Sequence, residues 1–231
     1  MAEVPPEVSV VLPVHDQADH IAGVVDDVVD ALAGSVPPHE VLLVPNGCRD
    51  DSAAVCERLA ERHAVVASHP LDRGGWGRAV RHGLTAAGGD LLCYTNSART
   101  DPDDLRRALV YASALPEPVV VKANRKIREG VVRRAGSLLY NLECRALFDL
   151  SAWDVNGTPK VFPRSFDRLL RLTRDDDLID TEFALACRDE GYPMIELPLF
   201  STRRAGGRST TGWRTALRLY RGALELERAR R

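Results

Sequence analysis

Val8-Ser-Val-Val-Leu-Pro-Val14 is a β-branched run, and in the segment behind it, Ile21 to Leu32, apolar residues return at helical spacing. The pair reads as a strand followed by a helix. The same change of period recurs three times: Glu40-Val-Leu-Leu-Val44 then Ser52 to Leu59, Ala64 to Ser68 then Gly77 to Ala87, and Leu91 to Thr95 then Pro102 to Leu115. Four βα units in succession predict an α/β fold with a mostly parallel, doubly wound central sheet flanked by helices. The fourth helix has a clear start signal. Asp101 suits the cap, Pro102 the first helical position, and Asp103 and Asp104 the positive end of the helix dipole.

Past this point the alternation loosens. A strand at Val119-Val-Val-Lys122 leads into a basic segment, Arg125 to Arg134, and a helix reaching about Phe148. Short strands are expected at Thr158 to Phe162 and Met194 to Leu199, with helices at Ser165 to Leu172 and Asp180 to Glu190. Gly206-Gly207 breaks the chain before a last helix, about Trp213 to Arg230, whose Trp213, Leu217, Tyr220 and Leu224 share a stripe.

At 231 residues and 45% hydrophobic content the chain can bury one substantial core, and no linker divides it. The expected organisation is a single domain over residues 1–210 and a C-terminal basic amphipathic helix over 211–231, packed on it or extending from it. A formal charge of −2 excludes a nucleic-acid footprint for the whole molecule. Between Arg203 and Arg231, however, nine arginines face two glutamates, Glu225 and Glu227. Such a helix can pack on the domain or meet anionic lipid head groups, a peripheral membrane contact. The five scattered cysteines form no C-x-x-C pair, which argues against a disulfide framework and a zinc site and points to a reducing cytoplasm. The six histidines show no metal-binding spacing, and His15 and His20 read as a loop residue and a helix-surface residue. The start, Met-Ala-Glu-Val-Pro-Pro-Glu-Val, carries no signal-peptide pattern, and no apolar run approaches the roughly 20 residues that span a bilayer.

In an open parallel sheet ligands sit beyond the carboxyl ends of the strands, near the point where strand order reverses. Four segments qualify: Pro13-Val-His-Asp16, Pro45-Asn-Gly-Cys48, Arg73-Gly-Gly-Trp-Gly77 and Asn96-Ser-Ala-Arg99. Gly74, Gly75 and Gly77 open a helix and could bring backbone N–H groups to an anion, or could be a plain glycine turn.

Taken in order, V-S-V-V-L-P-V-H-D, E-V-L-L-V-P-N-G-C-R-D-D, G-W-G-R-A-V-R-H-G-L and G-G-D-L-L-C-Y-T-N-S-A-R-T-D-P resemble the family 2 glycosyltransferases, closest to their polyprenyl-phosphate mannosyl- and glucosyltransferase branch. The likeness covers about residues 7–105 well. It continues through Asp154-Val-Asn-Gly157, Lys160, Asp180-Thr-Glu182 and Arg204-Ala-Gly-Gly-Arg-Ser209, the last matching the family's R-x-x-G-x-S. The resemblance implies a GT-A fold and inverting transfer of a sugar from a nucleotide-diphosphate donor to a small-molecule or polyprenyl-phosphate acceptor. It assigns donor or acceptor contacts to Pro13, His15, Asp16, Asn46, Gly75, Gly77, Asn96, Ser97, Ala98, Arg125, Lys160, Arg204 and Ser209. Asp180 and Glu182 fall at the family's acidic motif, one as a candidate general base and the other as a helix cap, with Asp180 the expected cap.

Several positions depart from the pattern. The Asp-x-Asp that holds Mg2+ or Mn2+ in the family corresponds to Asn96, Ser97 and Ala98, which offer a neutral carbonyl, a hydroxyl and nothing. No metal ligands are therefore assigned, and only a weakly held Mg2+ or Mn2+ stays open. The paired aspartates after the second strand have become Pro45-Asn46, and the lysine between the glycines has become Trp76, which can pack on a ring or fill the core. Arg73, Arg99, Arg125 and Arg204 can replace a cation at the diphosphate. The alternative class is a non-catalytic glycosyltransferase-like binding subunit.

Overall fold

The computed structural model describes residues 5–126, 131–200 and 220–225. Along the chain run β1 (Val8–Val14), α1 (Ile21–Leu32), β2 (His39–Pro45), α2 (Ser52–Arg62), β3 (Val66–Ser68), α3 (Trp76–Ala86), β4 (Leu91–Tyr94) and α4 (Pro102–Ala114). There follow β5 (Val120–Arg125), α5 (Val131–Phe148), β6 (Lys160–Pro163), a 3-10 turn (Asp167–Leu170), α6 (Ile179–Asp189) and β7 (Met194–Leu199). They form one seven-stranded sheet of order β3-β2-β1-β4-β6-β5-β7, in which only β6 runs antiparallel, to both β4 and β5.

The period of two in β1 decides what each helix layer covers. Val8, Val10, Leu12 and Val14 pack against Ile21, Val25 and Val28 of α1, while Val11 faces the other way, toward Ala79, Val80 and Leu84 of α3. Gly83 lets α3 sit close to the sheet, because a Cβ there would lie 2.3 Å from Val11 Cγ1. Asp101 caps α4 as its sequence predicts, accepting from the Asp103 and Asp104 N–H groups at 3.0 and 3.4 Å.

A third apolar cluster joins Tyr140, Cys144 and Phe148 of α5 to Leu185 of α6. The helical residues 220–225 reach it through Ala223, and Tyr220 donates to the Gly136 carbonyl at 3.1 Å. The rest of the expected last helix lies outside the described residues. The helix expected over Ser165 to Leu172 is only the 3-10 turn, since Phe162, Phe166 and Leu169 draw it onto the sheet within one short turn. No helix among the described residues is long and apolar enough to cross a membrane.

Candidate functional site

Strand order reverses between β1 and β4, and the connections leaving β1, β2 and β4 meet there. Hydrogen bonds lace the first two together. Asp16, held at φ +49°, accepts from the Arg49 N–H at 2.7 Å, the Gln17 N–H donates to Ser52 Oγ at 2.7 Å, and the Ala18 N–H donates to Asp50 at 2.9 Å. His15 Nδ1 lies 2.7 Å from the Asn46 carbonyl oxygen. Asn46, 4% exposed, is itself a staple: its amide nitrogen donates to the Val14 and Val44 carbonyls at 2.8 and 3.2 Å, and its Oδ1 accepts from the Gly75 N–H at 3.0 Å. Every strong hydrogen-bonding atom of this side chain faces inward, onto the strands and the glycine loop.

The glycine loop closes on a second segment, residues 173–176. A Cβ on Gly75 would stand 2.6 Å from the Asp175 carbonyl oxygen, and one on Gly77 would stand 2.4 Å from that of Arg174. The Arg78 N–H donates to Asp175 O at 3.1 Å, and the side chains of Arg78 and Arg81 each meet the Asp175 carboxylate at 2.7 Å. Glycine is thus required here by close approach of two backbones. Glu182 holds the partner segment. Its carboxylate, 9% exposed, accepts from the Thr173 and Arg174 N–H groups at 2.9 Å and from Thr173 Oγ1 at 2.8 Å.

Asp180 is not the cap expected of it. The N-cap of α6 is Leu178, which makes no side-chain cap hydrogen bond, and Asp180 lies in the first turn with its carboxylate turned into the core. There it accepts from Tyr94 Oη at 2.9 Å and Trp76 Nε1 at 3.3 Å and pairs with Lys160, whose ammonium is fully buried. Burial pushes the Lys160 pKa down to about 8, with Asp180 acting in the opposite direction. Trp76 has taken the packing alternative, set edge-on to Tyr94 at 6.3 Å and tied to Asp180.

The sequence did not mark Lys122 or Glu196 as site residues. In the register Tyr94 opposes Lys160, Lys160 opposes Lys122, and Lys122 opposes Glu196, so a polar row crosses β4, β6, β5 and β7. Lys122 Nζ donates to Glu196 at 2.8 Å and to the Asp154 carbonyl at 2.5 Å. A lone Glu in the apolar run Met-Ile-Glu-Leu of β7 was the available signal. At the end of β5, Arg125 grips the Asp154 carboxylate with both arms of its fork at 2.8 and 2.9 Å, which turns that fork inward. Arg73 is exposed at the head of the glycine loop. Arg204 and Ser209 lie outside the described residues.

The glycosyl transferase family 2 model matches residues 9–170, more than half of the chain. The chain belongs to this family. A curated relative, glycosyltransferase AglD of Haloferax volcanii, is 31% identical across 84% of this chain, and the chain spans about a third (32%) of that relative's length. Among solved structures, glucosyl-3-phosphoglycerate synthase from Mycobacterium tuberculosis, in complex with Mn2+, UDP and phosphoglyceric acid, superposes with a TM-score of 0.73 at 20% identity, covering 96% of this chain and 78% of its own. The mannosyltransferase PcManGT from Pyrobaculum calidifontis, in complex with GDP-Man and Mn2+, gives 0.65 at 20% identity, covering 99% of this chain and 65% of its own. The fold is therefore the GT-A fold of the family 2 glycosyltransferases.

Within that family 2 frame, the residues standing where the metal triplet is expected do not fit a hard divalent cation. Asn96 Oδ1 is taken by the Ala98 N–H at 3.1 Å, closing a local turn. Ser97 Oγ is buried 3.0 Å from the Pro13 carbonyl and 2.9 Å from Gln17 Oε1, and its single proton serves one of them at a time. Ala98 brings no ligand atom. A Mg2+ or Mn2+ site takes several oxygens, carboxylates among them, and this triplet supplies no carboxylate.

Proposed function

We propose that this chain is a glycosyltransferase core that transfers a sugar from a nucleotide-diphosphate donor to a small-molecule or polyprenyl-phosphate acceptor, with inversion and without a divalent cation at residues 96–98. In such a transfer the bond from the anomeric carbon to the diphosphate oxygen breaks while the acceptor oxygen bonds from the opposite face. The departing diphosphate accumulates negative charge that fixed positive groups must meet. The observation that carries the reading is the closed Asn96-Ser97-Ala98 turn, which supplies no carboxylate, in a fold that keeps the glycine loop tied to Asn46. We assign the diphosphate to Arg73, exposed at the head of the glycine loop, together with Arg204. The neighbours' complexes with UDP, GDP-Man and phosphoglyceric acid support a nucleotide-linked donor and admit a phosphorylated acceptor.

A phosphate acceptor is already anionic and needs no general base, whereas a hydroxyl acceptor does. Asp180 and Glu182 both spend their oxygens on internal partners, which favours the anionic acceptor. The same observation is what favours the second reading, a binding subunit that keeps the fold without turnover. We take the transferase unit to run to residue 210 and the basic segment 211–231, whether packed on it or extending from it, as a candidate for contact with a membrane surface. The test is a panel of UDP- and GDP-sugars, with chelator and with added Mg2+ or Mn2+, following binding and transfer together. Turnover that persists in chelator and weakens in R73A and R204A is expected. Turnover abolished by chelator and restored by Mg2+ or Mn2+ would remove the metal-free reading, and donor binding with no turnover on hydroxyl or phosphate acceptors would favour the subunit.

A further inference from the structure

Among the described residues one group of three side chains brings metal-ligating atoms within 4.8 Å of one another: His15, Asp16 and Cys48. They come from the two connections that follow β1 and β2, so the fold, and no sequence spacing, assembles them. We propose that His15, Asp16 and Cys48 form a three-ligand site for a transition-metal ion of the Zn2+ class, with a fourth position open to solvent.

The donor set selects the metal. An imidazole, a thiolate and a carboxylate suit a tetrahedral Zn2+, whereas Mg2+ and Mn2+ take oxygen. Zn–N and Zn–S bonds of about 2.0 and 2.3 Å place tetrahedral ligand atoms roughly 3.5 Å apart. His15 Nε2 already stands 3.7 Å from Asp16 Oδ2. The ligand atoms all lie within 4.8 Å of one another, so each remaining gap exceeds the tetrahedral spacing by at most about 1.3 Å.

His15 and Asp16 are also oriented from behind, while Cys48 Sγ lies 3.5 Å from the Val14 carbonyl oxygen. His15 Nδ1 points at the Asn46 carbonyl at 2.7 Å, an interaction that places the ring proton on Nδ1 and leaves the Nε2 lone pair outward. This is the outer-sphere arrangement that metal-bound histidines adopt. One carboxylate oxygen of Asp16 accepts from the Arg49 N–H at 2.7 Å, leaving the other toward His15. Asp16 is also one of two non-glycine residues with positive φ among those described, at +49°, a conformation its neighbours must hold. Cys48 is the half-buried cysteine of the chain, the other four being buried. On binding, the Cys48 thiol loses its proton to solvent and the sulfur takes the metal. The site adjoins Asn96-Ser97-Ala98, since Ser97 Oγ lies against Pro13 and Gln17 of the same connection, but shares no ligand with it and does not rest on the transfer reading.

The experiment titrates the full chain, stripped with chelator, with Zn2+ against a chromophoric competitor and with Co2+ by absorption. One equivalent should bind saturably, and the Co2+ form should show a thiolate-to-metal charge-transfer band. C48S should lose that band, and C48S and H15A should each weaken binding at least as far as the ~10–100-fold that follows loss of an outer-sphere partner. The two variants alter different connections, and thermal melts of the stripped proteins identify a variant that fails to fold. Absence of saturable uptake, or C48S and H15A binding as tightly as the native chain, would overturn the site. Because the readout is metal alone, its failure leaves the transfer reading standing, and failure of transfer leaves the site standing.

Discussion

Asn46 shows how one residue can look like a lost function and be a gained contact. The family places an aspartate pair here, and Asn46 invites reading as a weakened base or ribose ligand. The Val14 and Val44 carbonyls both accept from its amide nitrogen, a donor that a carboxylate does not have. Asn46→Asp, a change toward the family, is therefore expected to destabilise the chain by about 1–3 kcal/mol, since it sets buried acceptors against each other. A urea midpoint measures it, and a midpoint equal to that of the native chain would mean that the loop rearranges. The sequence could name Asn46 as a site residue but could not tell inward from outward, because its partners lie 29 and 32 positions away in the chain. For the same reason Lys160 and Arg125, expected at the diphosphate, turn out to spend their charge on Asp180 and Asp154.

Among the elements, the four βα units were legible because each announces itself by a local change of period from two to 3.6. A strand at Thr158 to Phe162 was expected and is found at Lys160–Pro163, but nothing local says that it enters between β4 and β5 and runs antiparallel, since direction and neighbour are set by the connections. The clasp between the glycine loop and residues 173–176 was equally hidden, and it makes two predictions. Gly77→Ala pushes a Cβ against three backbone atoms of residues 174–176, all under 3.0 Å, so it should cost about 1–3 kcal/mol in thermal melts and weaken donor binding with it. Glu182→Gln removes one of the acceptors that shape residues 173 and 174. If Glu182 is a positioning residue, the donor KM rises several-fold while kcat and its pH profile stay. A general base would instead lose about 10²–10⁴ in kcat together with one limb of the profile.

For the molecule as a whole, the polar row across β4, β6, β5 and β7 means that the half of the sheet added to the βα repeat is joined through charge as well as through apolar packing. Lys160 and Lys122 oppose each other across neighbouring strands, an unfavourable pair unless each has its own carboxylate, and Asp180 from α6 and Glu196 from β7 supply them. The arrangement ties the docking of α6 and β7 to the ionisation of buried groups, and overall stability should report it. With a folded-state pKa near 8 and an ordinary value of 10.5, Lys160 holds its proton less tightly in the folded chain than in the unfolded one. Between those two pH values the unfolded state binds more protons, so the contribution of Lys160 to stability rises with pH across that window, by at most about 1.4 kcal/mol per pH unit. Lys160→Met removes this dependence and leaves the Asp180 carboxylate to Tyr94 and Trp76. The stability difference, native minus K160M, measured by urea unfolding from pH 7 to 10.5, should therefore be flat below pH 8 and grow in favour of the native chain above it. A difference that stays flat throughout, or shrinks, would mean that the folded protein keeps Lys160 charged at its ordinary strength, with the Asp180 pair outweighing the cost of burial.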